Sequence, residues 1–188
     1  MEIKDIIGTQ VWMAENLKTT KYRNGDLIGT TSPATANISG ITNPKYQWSY
    51  GGNENNVATY GRLYTWFTVT DSRGVCPTGW HLPSDAEWDI LSAYLGVNAG
   101  GKMKETGSTH WGSPNVGATN ESGFTALSAG SLVGGVFYDL GGAGGGWWSS
   151  SQYSADLAWY RACGVTHADL YKSYTSKQTG WSVRCLKD

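Results

Sequence analysis

The chain has 188 residues, of which 15% are charged, and a formal net charge of −1. That length supports one substantial core, and scattered Lys and Arg at near-neutral balance exclude a basic face for nucleic acid or for an anionic membrane. With 26 Gly, 10 Trp and 11 Tyr against 3 Phe, the composition describes a loop-heavy domain built on amphipathic rings, about 7 in 10 of them expected inside.

The opening "MEIKDIIGTQ" has neither the basic region nor the apolar stretch of a secretory signal. No later run approaches the ~18 apolar residues of a membrane helix, so no membrane insertion is expected. "IGTQVWMAENLKTTKYRNGDLI" reads as a short strand, an irregular crossing and a turn at Asn24-Gly25, a pair suited to positive φ. Residues 30–58 are polar and turn-rich, which predicts a long surface excursion. "YGRLYTWFTV" fits a strand or a short buried helix, and its periodicity does not choose between them.

"PSDAEWDILSAYLG" carries the sharpest local signal. Ser84 as N-cap and Glu87 three residues on form a capping box, with Asp85 adding charge at the positive end of the helix dipole. A helix over Asp85 to Leu95 follows, burying Trp88, Leu91 and Leu95 and ending at Gly96. Residues 98–105, "NAGGKMKE", suggest a second short helix weakened by two glycines. Strand-like pieces recur at Phe124 to Leu127 and Val136 to Leu140, and the run Gly141 to Gly146 predicts a turn or a close backbone approach. "WWSSS", "LAWYR" and "GWSVRCLK" read as short strands. Between the last two, from Ala162 to Ser176, the residues follow neither strand alternation nor helical spacing. The fold class expected is α+β, with one or two helices, a small antiparallel C-terminal sheet and long loops.

The words "IGTQVWMAENLKTTKYRNGD", "YGRLYTW", "CPTGWHLPSDAEWDIL", "GGKMKETG", "HWGSPNVGATNESGFTAL", "WWSSS", "AWYR" and "GWSVRCLKD" resemble, in order and along almost the whole chain, the Fibrobacter succinogenes major paralogous domain. "GWHLPSDAEW" is also similar to a word of formylglycine-generating enzymes. The resemblance implies a C-type lectin-like fold of the formylglycine-generating-enzyme branch, one domain over residues 1–188, with neighbouring termini and a ligand surface on the segments linking the C-terminal strands. It also implies a disulfide between Cys76 and Cys185, matching the outer pair of C-type lectins, which leaves Cys163 over.

An enzyme is not expected. His81, His110 and His167 lie far apart in sequence, and neither H-E-x-x-H nor G-x-S-x-G occurs. Cys163 and Cys185 lie outside any matching motif of the formylglycine-generating enzymes, and His81 reads as a core-edge histidine beside Trp80. No cofactor or metal is indicated. Ser113-Pro114-Asn115 lacks the carboxylate of a calcium-dependent lectin site, although the loops leave room for a structural calcium.

The passage from Ala162 to Ser176 resembles the variable region of a protein diversified by a retroelement, as found in phages and bacteria. Randomising the first two bases of an asparagine codon never yields Lys, Gln, Glu, Met or Trp, and only Lys172 in this passage falls outside the reachable set. The resemblance implies a non-enzymatic binding surface over residues 153–178: Tyr153, Asp156, Tyr160, Ala162, Gly164, Thr166, His167, Asp169, Tyr171, Ser173, Tyr174, Ser176 and Gln178. Trp147, Trp148, Trp159, Val183 and the Gly141 to Gly146 turn would be its fixed frame, and Cys163 an accident of diversification. The expected partner is a protein or glycan on a cell surface, met by a monomer displayed on a phage virion or a bacterial surface. The alternatives are a constant bacterial surface domain that binds glycan or structural partners through aromatic side chains, and a formylglycine-generating-type enzyme.

Overall fold

The computed structural model describes residues 4–139 and 141–188. It is an α+β protein with several small antiparallel sheets. Strands β1 (Lys4–Ile7) and β2 (Gln10–Met13) form a hairpin, followed by the Asn24-Gly25 turn, where Gly25 adopts φ 93°. The polar excursion is not all surface. Strand β3 (Gln47–Ser49) is buried, with the Trp48 indole donating to Thr31 Oγ1 at 2.8 Å. Helix α1 (Val57–Tyr60), strand β4 (Arg62–Tyr64) and helix α2 (Trp66–Val69) follow, so "YGRLYTWFTV" is a strand and then a single helical turn. The chain therefore has two more helices than expected, both only four residues long.

Strand β5 (Trp80–His81) leads into helix α3 (Asp85–Leu95), whose capping box is complete and whose buried face is Trp88, Leu91 and Leu95. Helix α4 (Ala99–Met103) comes next, and strands β6 (Ser131–Val133) and β7 (Val136–Tyr138) form a hairpin. Leu140 lies outside the described residues. Phe124 to Leu127 is not a strand. Thr125 has φ 50°, and Ala126 makes only an isolated bridge to Lys104.

The C-terminal sheet runs β10-β9-β8, from β8 (Gly144–Gln152), β9 (Leu157–Gly164) and β10 (Tyr171–Ser176). Much of the patternless passage is thus regular structure, because each of its faces meets a different environment. Gly144, Gly145 and Gly146 also belong to a strand. A Cβ on Gly145 would lie 2.4 Å from the Leu127 carbonyl oxygen and one on Gly146 2.8 Å from the Trp181 ring, so glycine here admits close neighbours rather than a turn. "GWSVRC" forms only single bridges before β11 (Leu186–Lys187). In the sheet β1-β2-β11-β5 the two ends of the chain meet.

Trp12, Trp88, Phe124 and Trp147 make one aromatic core, with Trp12 and Trp88 centroids 4.6 Å apart. Seven of the 10 Trp are buried but, of the 11 Tyr, only Tyr22 and Tyr64 are. The indole N–H is one donor satisfied by one carbonyl, as in Trp148 Nε1 to Tyr64 O at 2.7 Å, whereas the phenol is better served by water. A disulfide joins Cys76 to Cys185 across 109 positions of sequence.

His81 Nδ1 meets Asp188 Oδ1 at 2.7 Å and Nε2 meets Glu87 Oε1 at 2.9 Å. Burial pulls its pKa down, but the bonds to Asp188 and Glu87 outweigh this and hold it above the ordinary value. A raised folded-state pKa contributes stability fully below the unfolded pKa of about 6.5, and that contribution is lost as pH rises through the folded value. Denaturant midpoints should therefore fall with pH above about 6.5, and His81→Gln should flatten that limb. An unchanged slope in the variant would place the titration elsewhere.

Candidate ligand surface

In an antiparallel ladder, opposed residues share a face. The register of β9 and β10 opposes Arg161 to Lys172 and Trp159 to Tyr174 on the face toward α3, and Tyr160 to Ser173 and Ala162 to Tyr171 on the other. The expected contact residues are therefore divided. Tyr174 and Ser176 fall on the α3 side, where Tyr153 joins them. Tyr160, Ala162, Gly164, Tyr171 and Ser173 fall on the opposite side, and Thr166, His167 and Asp169 lie in the connecting loop.

Each group has its own aromatic anchor. Tyr153 and Tyr174 stack at 3.9 Å and both meet Trp159 edge-on, at 5.0 and 5.6 Å. They are 47% and 45% exposed, so this doublet is a displayed surface. On the other side Tyr160 stacks on Trp181 at 4.9 Å, a partner that strand patterning did not reveal, and His167 meets Tyr171 edge-on at 5.5 Å. Asp156, Thr166, His167, Asp169, Tyr171 and Ser176 are exposed. Gln178 is partly covered, its amide donating toward Ser39 O and Ile41 O at 3.5 and 3.4 Å.

Beneath these side chains lie inward residues that hold the backbone. Arg161, 1% exposed, donates to Asp85 Oδ1 and Asp89 Oδ1, both at 2.6 Å. Lys172 reaches the same two carboxylates at 2.8 and 2.9 Å, which ties β10 to α3. Burial opposes ionisation of Asp89, but Lys172 and Arg161 keep its carboxyl below the ordinary value. The one residue outside the asparagine-derived set is thus a scaffold residue. Lys177, also buried, donates to Ala155 O at 2.6 Å in the β8–β9 turn.

Lys104 is fully buried and donates to Val116 O, Gly164 O and His167 O at 2.8, 2.9 and 2.9 Å. The last two carbonyls belong to the end of β9 and to the β9–β10 loop itself. Burial draws its pKa below the ordinary lysine value, with Cys163 opposing. Gly100 completes the seat, since a Cβ there would lie 2.2 Å from Asp169 O. The two glycines that weaken α4 locally are what let the loop lie against it. Spacing gave no sign of Lys104 or Lys177; the available hint was a lysine among the small and apolar residues of "GGKMKE".

Cys163 is a core residue rather than part of the displayed surface. It is 2% exposed, packs in the α3–α4 core, and burial pushes its thiol up to about 12, with Lys104 opposing. Cys185 is bonded to Cys76, so Cys163 and Cys185 do not form a reactive pair. In the expected frame, Trp147, Trp148 and Val183 are fully buried while Trp159 is only half-buried. Gly164 has room, with nothing nearer its Cβ position than 3.9 Å.

The histidines share no site: His81 pairs with Glu87 and Asp188, and His110 with Glu105 at 2.8 Å. Ser113-Pro114 is a cis peptide, and Asn115 donates to Glu105 O and Gly107 O at 2.9 and 2.8 Å, bracing its own turn. Among the described residues, no group of three or more His, Cys, Asp or Glu is placed to hold a metal ion, and no helix is long and apolar enough to cross a membrane.

The words shared between the two ends of the chain meet at Asn16. Its Oδ1 accepts from Trp147 Nε1 at 2.8 Å and Arg184 Nε at 3.1 Å, and its Nδ2 donates to Tyr60 O at 2.9 Å. "AENLK", "YGRLY", "WWSSS" and "GWSVRC" are thereby joined at one buried polar centre. Searches of curated proteins and of solved structures return no match. The profile of the Fibrobacter succinogenes major domain matches residues 6–187, and the chain belongs to that family.

Proposed function

We propose that this chain is a single non-enzymatic binding domain of C-type lectin-like fold, the variable protein of a diversity-generating retroelement. In this reading the β9–β10 hairpin and the Tyr153 turn contact a protein or glycan on a cell surface, from a phage virion or a bacterial envelope. The observation that carries it is a division of labour within residues 153–178. The backbone is held from beneath by the buried Lys104, Arg161 and Lys177 and at the surface by the Lys172 ion pairs, while Thr166, His167, Asp169, Tyr171 and Tyr174 are exposed. Side chains that support nothing can change without unfolding the protein. The fold assignment is supported by chain ends joined in one sheet and by a disulfide reaching from the segment before β5 to the chain's last residues.

The tyrosines suit this role, because a rigid ring gives contact area at small entropic cost. The exposed Tyr153–Tyr174 doublet also favours a second reading, a constant surface domain that stacks sugar rings on it. Sequencing the 3′ end of the gene across a natural population separates the two. Variation confined to positions such as Ala162, Gly164, Thr166, His167, Tyr171, Ser173 and Tyr174, with Arg161, Cys163, Lys172 and Lys177 unchanged, supports diversification. A uniform sequence would overturn it.

The same division predicts a stability pattern. Thr166→Ala, His167→Ser, Tyr171→Ser and Gly164→Ser should each change unfolding free energy by less than about 0.5 kcal/mol. Denaturant titration checks this, and losses above about 2 kcal/mol at these positions would mean that they are structural.

A further inference from the structure

Resting on the reading of the hairpin as a contact surface, we infer that the outer edge of β10 is a docking edge that takes up an extended, uncharged segment of a partner protein as a fourth strand. The two edges of the C-terminal sheet differ. The outer edge of β8 is occupied: Gly130 N–H donates to Gly144 O, Ser182 N–H to Gly146 O and Trp148 N–H to Ser182 O, at 3.2, 3.2 and 3.1 Å. Beyond its ladder with β9, the only main-chain bond of β10 among the described residues is the turn bond from Thr179 N–H to Ser176 O at 2.9 Å. A strand turns the N–H and C=O of every second residue away from its single neighbour, so β10 presents an unanswered ladder.

Native sheets guard such edges with proline, bulges or outward charge. β10, "YKSYTS", has no proline, and its six pairs with β9 run without a shift. Its single charge, Lys172, is drawn back onto Asp85 and Asp89. Arg161 and Lys172 balance Asp85 and Asp89, so the edge selects neither an acidic nor a basic segment. An added strand forms main-chain bonds whatever the side chains are, while Tyr171 and Ser173 on one face and Tyr174 on the other would read its sequence. Constant affinity with variable specificity is what a diversified surface requires. A second copy of the chain suits the edge less, because pairing β10 with itself would alter assembly each time a position varied.

The test uses random linear peptides displayed on phage and selected against the whole protein. A selected peptide is then synthesised with N-methyl groups at one residue at a time, each removing one N–H donor. Strand addition predicts affinity losses of about fivefold to tenfold at every second residue and little between them, with new amide-exchange protection at alternate residues of β10. Peptides that bind without this alternation but weaken with Tyr171→Ala or Tyr174→Ala would overturn the inference and leave the contact surface standing. Peptides that bind without this alternation and are indifferent to both tyrosines would overturn both. Failure to enrich any peptide would overturn strand addition. A concentration-dependent dimer in sedimentation that protects β10 would assign the edge to a second copy and overturn the proposal.

Discussion

Lys104→Met is expected to destabilise the protein by about 3–5 kcal/mol and to free the loop between β9 and β10. The buried ammonium answers three carbonyls, those of Val116, Gly164 and His167. Methionine fills similar volume but answers none, and each acceptor costs up to about 1–3 kcal/mol where water cannot reach it in place of the ammonium. Part of this is offset by no longer desolvating the ammonium, the same burial that depresses its pKa. Denaturant unfolding measures the total, and amide exchange at residues 165–170 reports whether the loop has come loose. A loss below about 1 kcal/mol with unchanged exchange would mean that the Gly100 contact holds the loop without the lysine.

The second large effect is expected from the disulfide. Opening a cross-link between residues 109 apart restores chain entropy to the unfolded state, worth about 4–5 kcal/mol for a loop near that length. Cys76→Ala with Cys185→Ala should show that loss, with both residues replaced so that neither half of the bond is left as an unpaired buried thiol. The consequence reaches the ligand surface, since Met13 N–H donates to Cys185 O and Leu17 N–H to Val183 O, while Trp148 N–H of β8 donates to Ser182 O. Loosening this segment removes the support of the sheet that carries the hairpin. A double variant within about 1 kcal/mol of the parent would show that these main-chain bonds suffice.

Local chemistry was legible in the sequence because it acts between near neighbours. The capping box at Ser84 and Glu87 placed α3, and the Asn24-Gly25 turn was readable too. The "LAWYR" part of β9 was legible as well, but its continuation to Gly164 and the whole of β10 were not. Period-2 patterning needs one wet face and one dry face, and here one face carries Arg161, Cys163 and Lys172 against α3 and α4 while the other is only partly covered.

By itself the sequence determined the class of the fold, its best helix and its family, and it singled out the stretch 153–178 as an expected surface. The tertiary structure alone decided which residues of that stretch are fixed. Cys163 and Lys172 lie amid the outward-facing residues of that stretch, yet one is in the core and the other is bound to a helix more than 80 positions away, as in the Lys172 to Asp89 bond with a separation of 83. The same holds for Lys104, whose partners at 116, 164 and 167 come together only when the chain has folded. Which way a side chain points depends on strand register, and register depends on distant segments that pair without any signal in the local residues.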